Sequence, residues 1–296
     1  MRGHPYFGIG LALFGTLVLT PDALFMRLSG MDGIQMVGWR GLLMGAVMLA
    51  VWALSSRDRG ADLRALVSAG GLLIVACQFF NATCFSLGIS MAPVAVVLFA
   101  VATVPVWAAL LARVFLREPT RRSTWLTIAA VLAGIGIAVF GGKGEAVSLN
   151  RDALVGAALG LGVALVLALN FVVLRARPGL PILLVIGSGA LLAGIMGWTV
   201  TGPAAMPEGT IWAIAITGIA ILPVSFFTLS LAARYTHASN VSLLMLLETV
   251  LGPVWVWLGT GEAPTATMLL GGVVVVVSLG LYLWRARRRA LSAVAG

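Results

Sequence analysis

Apolar residues run along this chain in ten blocks of about twenty, parted by short clusters of arginine, glycine, proline and serine. The blocks cover residues 6–26, 34–54, 63–87, 92–111, 123–140, 153–174, 181–200, 210–232, 238–259 and 265–284. At 1.5 Å of rise per residue, about twenty residues match the ~30 Å hydrocarbon core of a bilayer. Each block is therefore predicted to cross a membrane as a helix, giving an all-α integral membrane protein. The connecting segments are short throughout, and none could fold as a soluble domain.

Composition agrees with that pattern. The chain is 60% hydrophobic and 10% charged, with a mean hydropathy of +1.08, whereas soluble domains carry about 25% charged residues. A soluble globule is excluded. The net charge of +9 would point to nucleic acid in a soluble protein. Here the basic residues sit between apolar blocks, where they set orientation, so no nucleic-acid partner is expected. With both termini in the cytoplasm, fifteen of the 19 Lys and Arg fall in inner loops; only Arg27, Lys143 and Arg151 lie outside, and Arg40 falls within the second span. The basic start of the chain is like a signal peptide, but no A-x-A-like site follows, so a retained first helix is expected. Cys77 and Cys84 are seven residues apart, about 10 Å along a helix, and are too distant to pair.

The two halves share a pattern. "LFAVATVPVW" (98–107) aligns without gaps on "LLETVLGPVW" (246–255), setting Pro105 against Pro253. Downstream, "EPT" at Glu118 answers "EAPT" at Glu262, and glycines follow at Gly134 and Gly136 in one half and at Gly271, Gly272 and Gly280 in the other. The expected repeats are residues 1–142 and 153–296, each with five spans. Five is odd, so the second copy is predicted to lie inverted in the membrane, an arrangement characteristic of secondary transporters. On these residues, together with Arg40 in span two, the sequence resembles the EamA type of the drug/metabolite transporter superfamily. The resemblance implies ten helices in two inverted five-helix repeats around a central cavity. Within that superfamily the chain is most similar to the YddG-type bacterial exporters of aromatic and neutral amino acids. Thr127 departs from the family pattern, which has glycine there.

Several residues are candidates to line a pathway. Proline inside a helix removes a backbone bond and kinks it, so Pro105 and Pro253 are predicted gating kinks, with Pro223 in span eight a third. Small residues four apart, as at Gly156, Gly160, Ala164 and Ala168, or Gly189, Ala193 and Gly197, let helices approach closely in lipid. Arg40, ~9 Å deep, either forms a fixed pair with Asp22 or meets a substrate carboxylate, which its guanidinium fork suits. Gln78, Asn81 and Phe85 form one stripe, serving either helix–helix amide bonds or a ligand. Phe99, Thr103 and Trp107 share a side of span four, and Asn170 lies in span six. Phe226 and Phe227 face either lipid or the pathway. Glu248 falls ~15 Å from the inner end of span nine, near the midplane, on a face with Met245, Gly252 and Trp255. An acid at that depth is functional by default. It is either protonated and hydrogen-bonded, in contact with a substrate ammonium, or exchanging a proton.

Other chemistry has little to work with. His4 and His237 are the two histidines, and no metal set, nucleophile constellation or paired-acid motif accompanies them, so neither an enzyme nor a metal or other cofactor is expected. No filter-like loop or charged ring marks a channel, and no G-x-x-x-x-G-K-[ST] motif marks direct ATP drive. The expectation is a monomeric secondary transporter in the bacterial inner membrane. It would export small amphipathic metabolites, aromatic and neutral amino acids first, by alternating access. Other metabolites or drugs are the alternative cargo.

Overall fold

A computed structural model describes residues 7–92, 94–118, 122–140, 151–261 and 266–295, and these contain helices and short connections without a β-strand. The loop holding Lys143 and the segment holding Glu262 lie outside the described residues, as does His4. In order, the helices are α1 (Phe7–Leu19), α2 (Asp22–Ser29), α3 (Gly33–Ser55), α4 (Arg59–Leu66), α5 (Ala69–Met91), α6 (Val94–Val101), α7 (Val104–Phe115), α8 (Arg122–Phe140), α9 (Arg151–Ala176) and α10 (Ile182–Thr201). There follow α11 (Ile211–Ile216), a π-helical turn Thr217–Ile221, α12 (Leu222–Tyr235), α13 (Ala238–Met245), α14 (Leu247–Thr260) and α15 (Ala266–Ala295). Eight stretches are long and apolar enough to cross a membrane, several of them made of two helices end to end, and Arg122–Ile137 and Leu269–Tyr282 are shorter apolar helices. Leu54, Val114, Leu126 and Leu258 stand largely exposed around the bundle, as residues that face lipid must.

The expected third block is divided. Residues 63–66 belong to α4, and a new helix begins at Ala69 after Ser68, whose hydroxyl accepts from Gly71 N at 3.2 Å. An N-cap of this kind satisfies one of the orphan donors of a helix start. Asp32 caps α3 likewise, accepting from Gln35 N at 2.9 Å. Gly30, at φ +63°, closes α2 in the left-handed conformation that glycine adopts without strain.

Among the described residues four spans are interrupted, and each interruption has a threonine. Thr20 lies between α1 and α2, Thr103 between α6 and α7, Thr217 opens the π-helical turn, and Thr249 follows the break at Leu246. Their hydroxyls donate to the carbonyls of Leu17, Ala100, Ile214 and Leu246, at 2.9, 2.7, 2.8 and 2.7 Å. Backbone groups released inside a membrane need such partners. Prolines explain three of the breaks. Pro21 precedes α2, Pro105 stands in the first turn of α7 and Pro223 in the first turn of α12. Pro105 has no N–H to donate to the carbonyl four residues back, that of Val101, where α6 ends. α14 runs through position 253 unbroken, and the interruption of span nine lies seven residues earlier at Leu246.

Helix packing follows the small residues. A Cβ on Gly41 of α3 would come within 2.5 Å of Gly194 N and 2.6 Å of Ala190 O on α10, so the two backbones touch there. Gly189, on another face of α10, meets Val75 O of α5 at 2.5 Å in the same sense, Gly160 of α9 meets Ala100 of α6 at 2.8 Å, and Gly134 of α8 meets Gly271 O of α15 at 3.0 Å. Thr127 is half-buried and returns its hydroxyl to Ser123 O. The main partnerships are α3 with α10, α8 with α15, α5 with α9, α1 with α12 and α5 with α10, and α7 packs on both α9 and α13.

Candidate functional site

The interruptions converge on one cavity of about 60 Å³. Leu19 and Asp22 flank the first break, Val101 ends α6, Leu222 follows the π-helical turn, and Met245 and Glu248 flank the last; all six line the cavity. Of the uninterrupted helices, α9 contributes Val163 and Leu167 and α10 contributes Ala190, while two others present faces of helical period. α3 gives Val37, Arg40, Gly41 and Met44, and α5 gives Gln78, Asn81, Ala82, Phe85 and Ser86. These positions follow i, i+3, i+4, i+7, which puts each set on one stripe. At ~10–15 Å³ per water the space holds a handful of waters or a small polar headgroup.

The cavity is mostly apolar with a charged lining. Arg40 Nη2 donates to Asp22 Oδ2 at 2.6 Å, with side chains 7% and 2% exposed. Arg40 also donates from Nη1 to Met26 Sδ and stands 5.8 Å from the centroid of the Phe85 ring. Its charge is thus held by an acid, a sulfur and a ring. Asp22 Oδ1 and Gln78 Oε1 are buried without a hydrogen-bond partner, while Gln78 Nε2 reaches Met44 Sδ at 3.9 Å. Asp22 and Glu248 each occupy the first turn of the helix that follows an interruption. Glu248 is half-buried, and its carboxylate makes no hydrogen bond or ion pair with a described residue.

Seven of the residues singled out in the sequence meet here: Asp22, Arg40, Gln78, Asn81, Phe85, Met245 and Glu248. The other five lie elsewhere. Phe99 packs in a separate apolar cluster with Ile128, Val131 and Leu243, and Trp107 packs against the main core. The Thr103 hydroxyl is committed to Ala100 O. Asn170 is 2% exposed, with Oδ1 unpartnered, outside this lining. Trp255 is 40% exposed and donates from Nε1 to Thr20 Oγ1 at 2.9 Å, tying α14 to the first interruption. Phe226 does line the cavity. Ser86 and Met44 were missed, though extending the Gln78 and Arg40 stripes by one helical step finds both.

A second charged cluster closes one end of the bundle. Glu118, just beyond α7, accepts from Arg175 Nε at 2.9 and 3.1 Å and faces Arg175 Nη2 at 2.8 Å. His237 Nδ1, ahead of α13, is 2.7 Å from the same carboxylate. Arg175 Nη1 reaches Arg234 O at 3.4 Å, and Arg234 donates to Leu180 O. Partial burial works against a charge on Glu118, but the hydrogen bonds from Arg175 and His237 outweigh it and hold the carboxyl below its ordinary range.

Known proteins place this architecture. The profile of the EamA-like transporter family matches residues 6–140. A protein of Bacillus subtilis (strain 168) named as the uncharacterized transporter YdfC is 25% identical over 248 residues, covering 79% of this chain and 77% of its own. A solved crystal structure, 18% identical, superposes with a TM-score of 0.77 over 97% of this chain and 98% of its own, and so shares the fold. Among the described residues the chain has eight stretches long and apolar enough to cross a membrane, and its first half matches the profile of the EamA-like transporter family.

Proposed function

We propose that the protein is a secondary carrier of small amphipathic metabolites that works by alternating access between two inverted five-helix halves. One observation carries this reading: among the described residues four interrupted spans, two from each half, meet at one cavity with a charged lining. Carriers build their sites near the midplane from such discontinuous helices. The packing supports the symmetry. Exchanging each span for its counterpart five spans on turns the α5–α9 contact into α12–α1, and both are major contacts. The same exchange returns α3–α10 and α8–α15 to themselves, as for helices facing each other across a two-fold axis.

In this reading all ten apolar helices cross the membrane, the chain acts as a monomer, and residues 1–142 and 153–296 form the halves. The end holding Glu118, Arg175 and Arg234 is cytoplasmic, since the arginine-rich loops lie there, and the membrane is the bacterial inner membrane. Export of amino acids with apolar side chains follows from the resemblance to YddG-type exporters, and the apolar wall of Phe85, Phe226 and Met245 suits such side chains. The test is flux of a labelled aromatic amino acid in proteoliposomes, with a substrate panel beside it. Saturation and counterflow are expected; linear, non-competitive flux would mark a channel and end the carrier reading.

A further inference from the structure

The charges in the cavity are unevenly matched, and this bears on what it binds. The inference rests on the carrier reading for its route but not for its chemistry. Three ionisable side chains line the space: Asp22, Arg40 and Glu248. The single guanidinium is committed to Asp22 at 2.6 Å, with Met26 Sδ on its other amino nitrogen and the Phe85 ring close by. An incoming carboxylate would have to displace Asp22 from Arg40. The acceptors are in surplus. Asp22 Oδ1 is buried and unpartnered, on a side chain 2% exposed, and Glu248 makes no hydrogen bond or ion pair with a described residue.

A ligand that completes this site donates hydrogen bonds, carries one positive charge and has an apolar body for Phe226, Met245 and Met44. We infer that the cavity selects a primary ammonium with a short apolar tail, with Glu248 as its counter-ion, and that it takes an organic cation in preference to a zwitterion or an anion. A free amino acid satisfies Glu248 with its ammonium but brings a carboxylate with no unclaimed cation to meet. This narrows the cargo toward amines, away from the intact amino acids that the sequence resemblance implies.

Three compounds with the same ring separate the headgroups: phenethylamine, phenylalanine and 3-phenylpropanoate. Binding to the purified, detergent-solubilised protein is read by tryptophan quenching, so passive permeation of the amine is irrelevant. At neutral pH the wild type is expected to bind phenethylamine at least ten-fold more tightly than phenylalanine, with 3-phenylpropanoate weakest. Glu248→Gln should lose at least ten-fold of the amine affinity, and Glu248→Asp should recover part of it. Equal affinities, or phenylalanine or the anion binding first, would overturn the assignment without reference to any variant. An unchanged amine affinity in Glu248→Gln would overturn the role of Glu248. Flux in proteoliposomes is scored separately. The expected affinity order with no saturable flux would end the carrier reading and leave the site standing, whereas saturable flux with the anion preferred would do the reverse.

Discussion

The pair between Asp22 and Arg40 permits a quantitative test, because each partner is buried and one bond joins them. Unit charges about 4 Å apart attract by about 4 kcal/mol at an effective dielectric of about 20. Removing one partner of a buried pair typically costs about 3–5 kcal/mol, because the other is left uncompensated. Arg40→Met leaves Asp22 in a cavity that Glu248 also lines, so it should destabilise by the upper end of that range. Asp22→Asn should cost less, since Glu248 offers Arg40 another acid across the same space. The double variant has no stranded charge, and replacing a whole buried pair is often nearly neutral. Equilibrium unfolding in mixed micelles, followed by tryptophan emission, gives the three free energies, and the double variant should cost less than the sum of the singles by well over the ~0.5 kcal/mol scatter of independent sites. Singles that add to the double within about 0.5 kcal/mol would show that the bond contributes nothing, and the case for a neutralised Arg40 would fall with it.

Other expected outcomes follow from the same geometry. Glu118 has a carboxyl held below its ordinary range, so its contribution to stability is present above the unfolded value and is lost as pH falls through the folded one. Unfolding midpoints measured from neutral to acid pH should show this loss in the wild type and a flatter profile in Glu118→Gln. Gly41→Val sets side-chain carbons against main-chain atoms of Gly194 and Ala190, where nothing flexible can yield. It should cost more than the ~1–3 kcal/mol of ordinary overpacking, read by the same unfolding assay. Pro105→Ala removes the proline at a break and should lower maximal flux more than apparent affinity. Pro253→Ala, in an unbroken stretch of α14, should change both less, and equal effects of the two would refute the placement of the hinge.

Periodicity and charge made much of this legible in the sequence, at the level of which residues are out of place in lipid. Arg40, Asp22 and Glu248 drew notice because a charge inside an apolar block needs a reason, and all three share one cavity. Gln78, Asn81 and Phe85 were legible through their spacing alone. The breaks were less so. Proline marks Pro21, Pro105 and Pro223 visibly, but Leu246 is an ordinary helix former, and its break goes with the hydroxyls of Thr249, bonded to Leu246 O, and Ser242, bonded to Ala238 O. Hydroxyl-to-carbonyl bonds of this sort depend on rotamer, which spacing does not encode. The start of the third span was misplaced because Ala65, Leu66 and Val67 read as continuous with the next helix. Asp62 draws that segment away, accepting from Trp52 Nε1 at 2.8 Å and Ser56 Oγ at 2.6 Å, and Ser68 opens a new helix. Phe99 and Trp107 lie outside the lining of this cavity; both flank the break of span four, where one helical face does not continue into the next.

The two charged places are joined by the helices between them. α7 runs from the break at Ala102–Thr103 to Glu118, and α13 runs from His237 to the break at Leu246. The two pack against each other, and Glu118 and His237 fasten their far ends at 2.7 Å. Their near ends are the interruptions beside Val101 and Met245, which line the cavity. In the proposed cycle α7 and α13 therefore move as one piece, hinged where the backbone is already broken and latched where Arg175 of α9 grips Glu118. Bending at those hinges costs little hydrogen bonding, because the carbonyls at both are held by the hydroxyls of Thr103 and Thr249. Opening the latched end then shifts Met245 at the mouth of the same break that positions Glu248. This gives occupation of the cavity and access from the arginine-rich end a direct mechanical link, through two short helices and without any rearrangement of the glycine-locked α3–α10 pair.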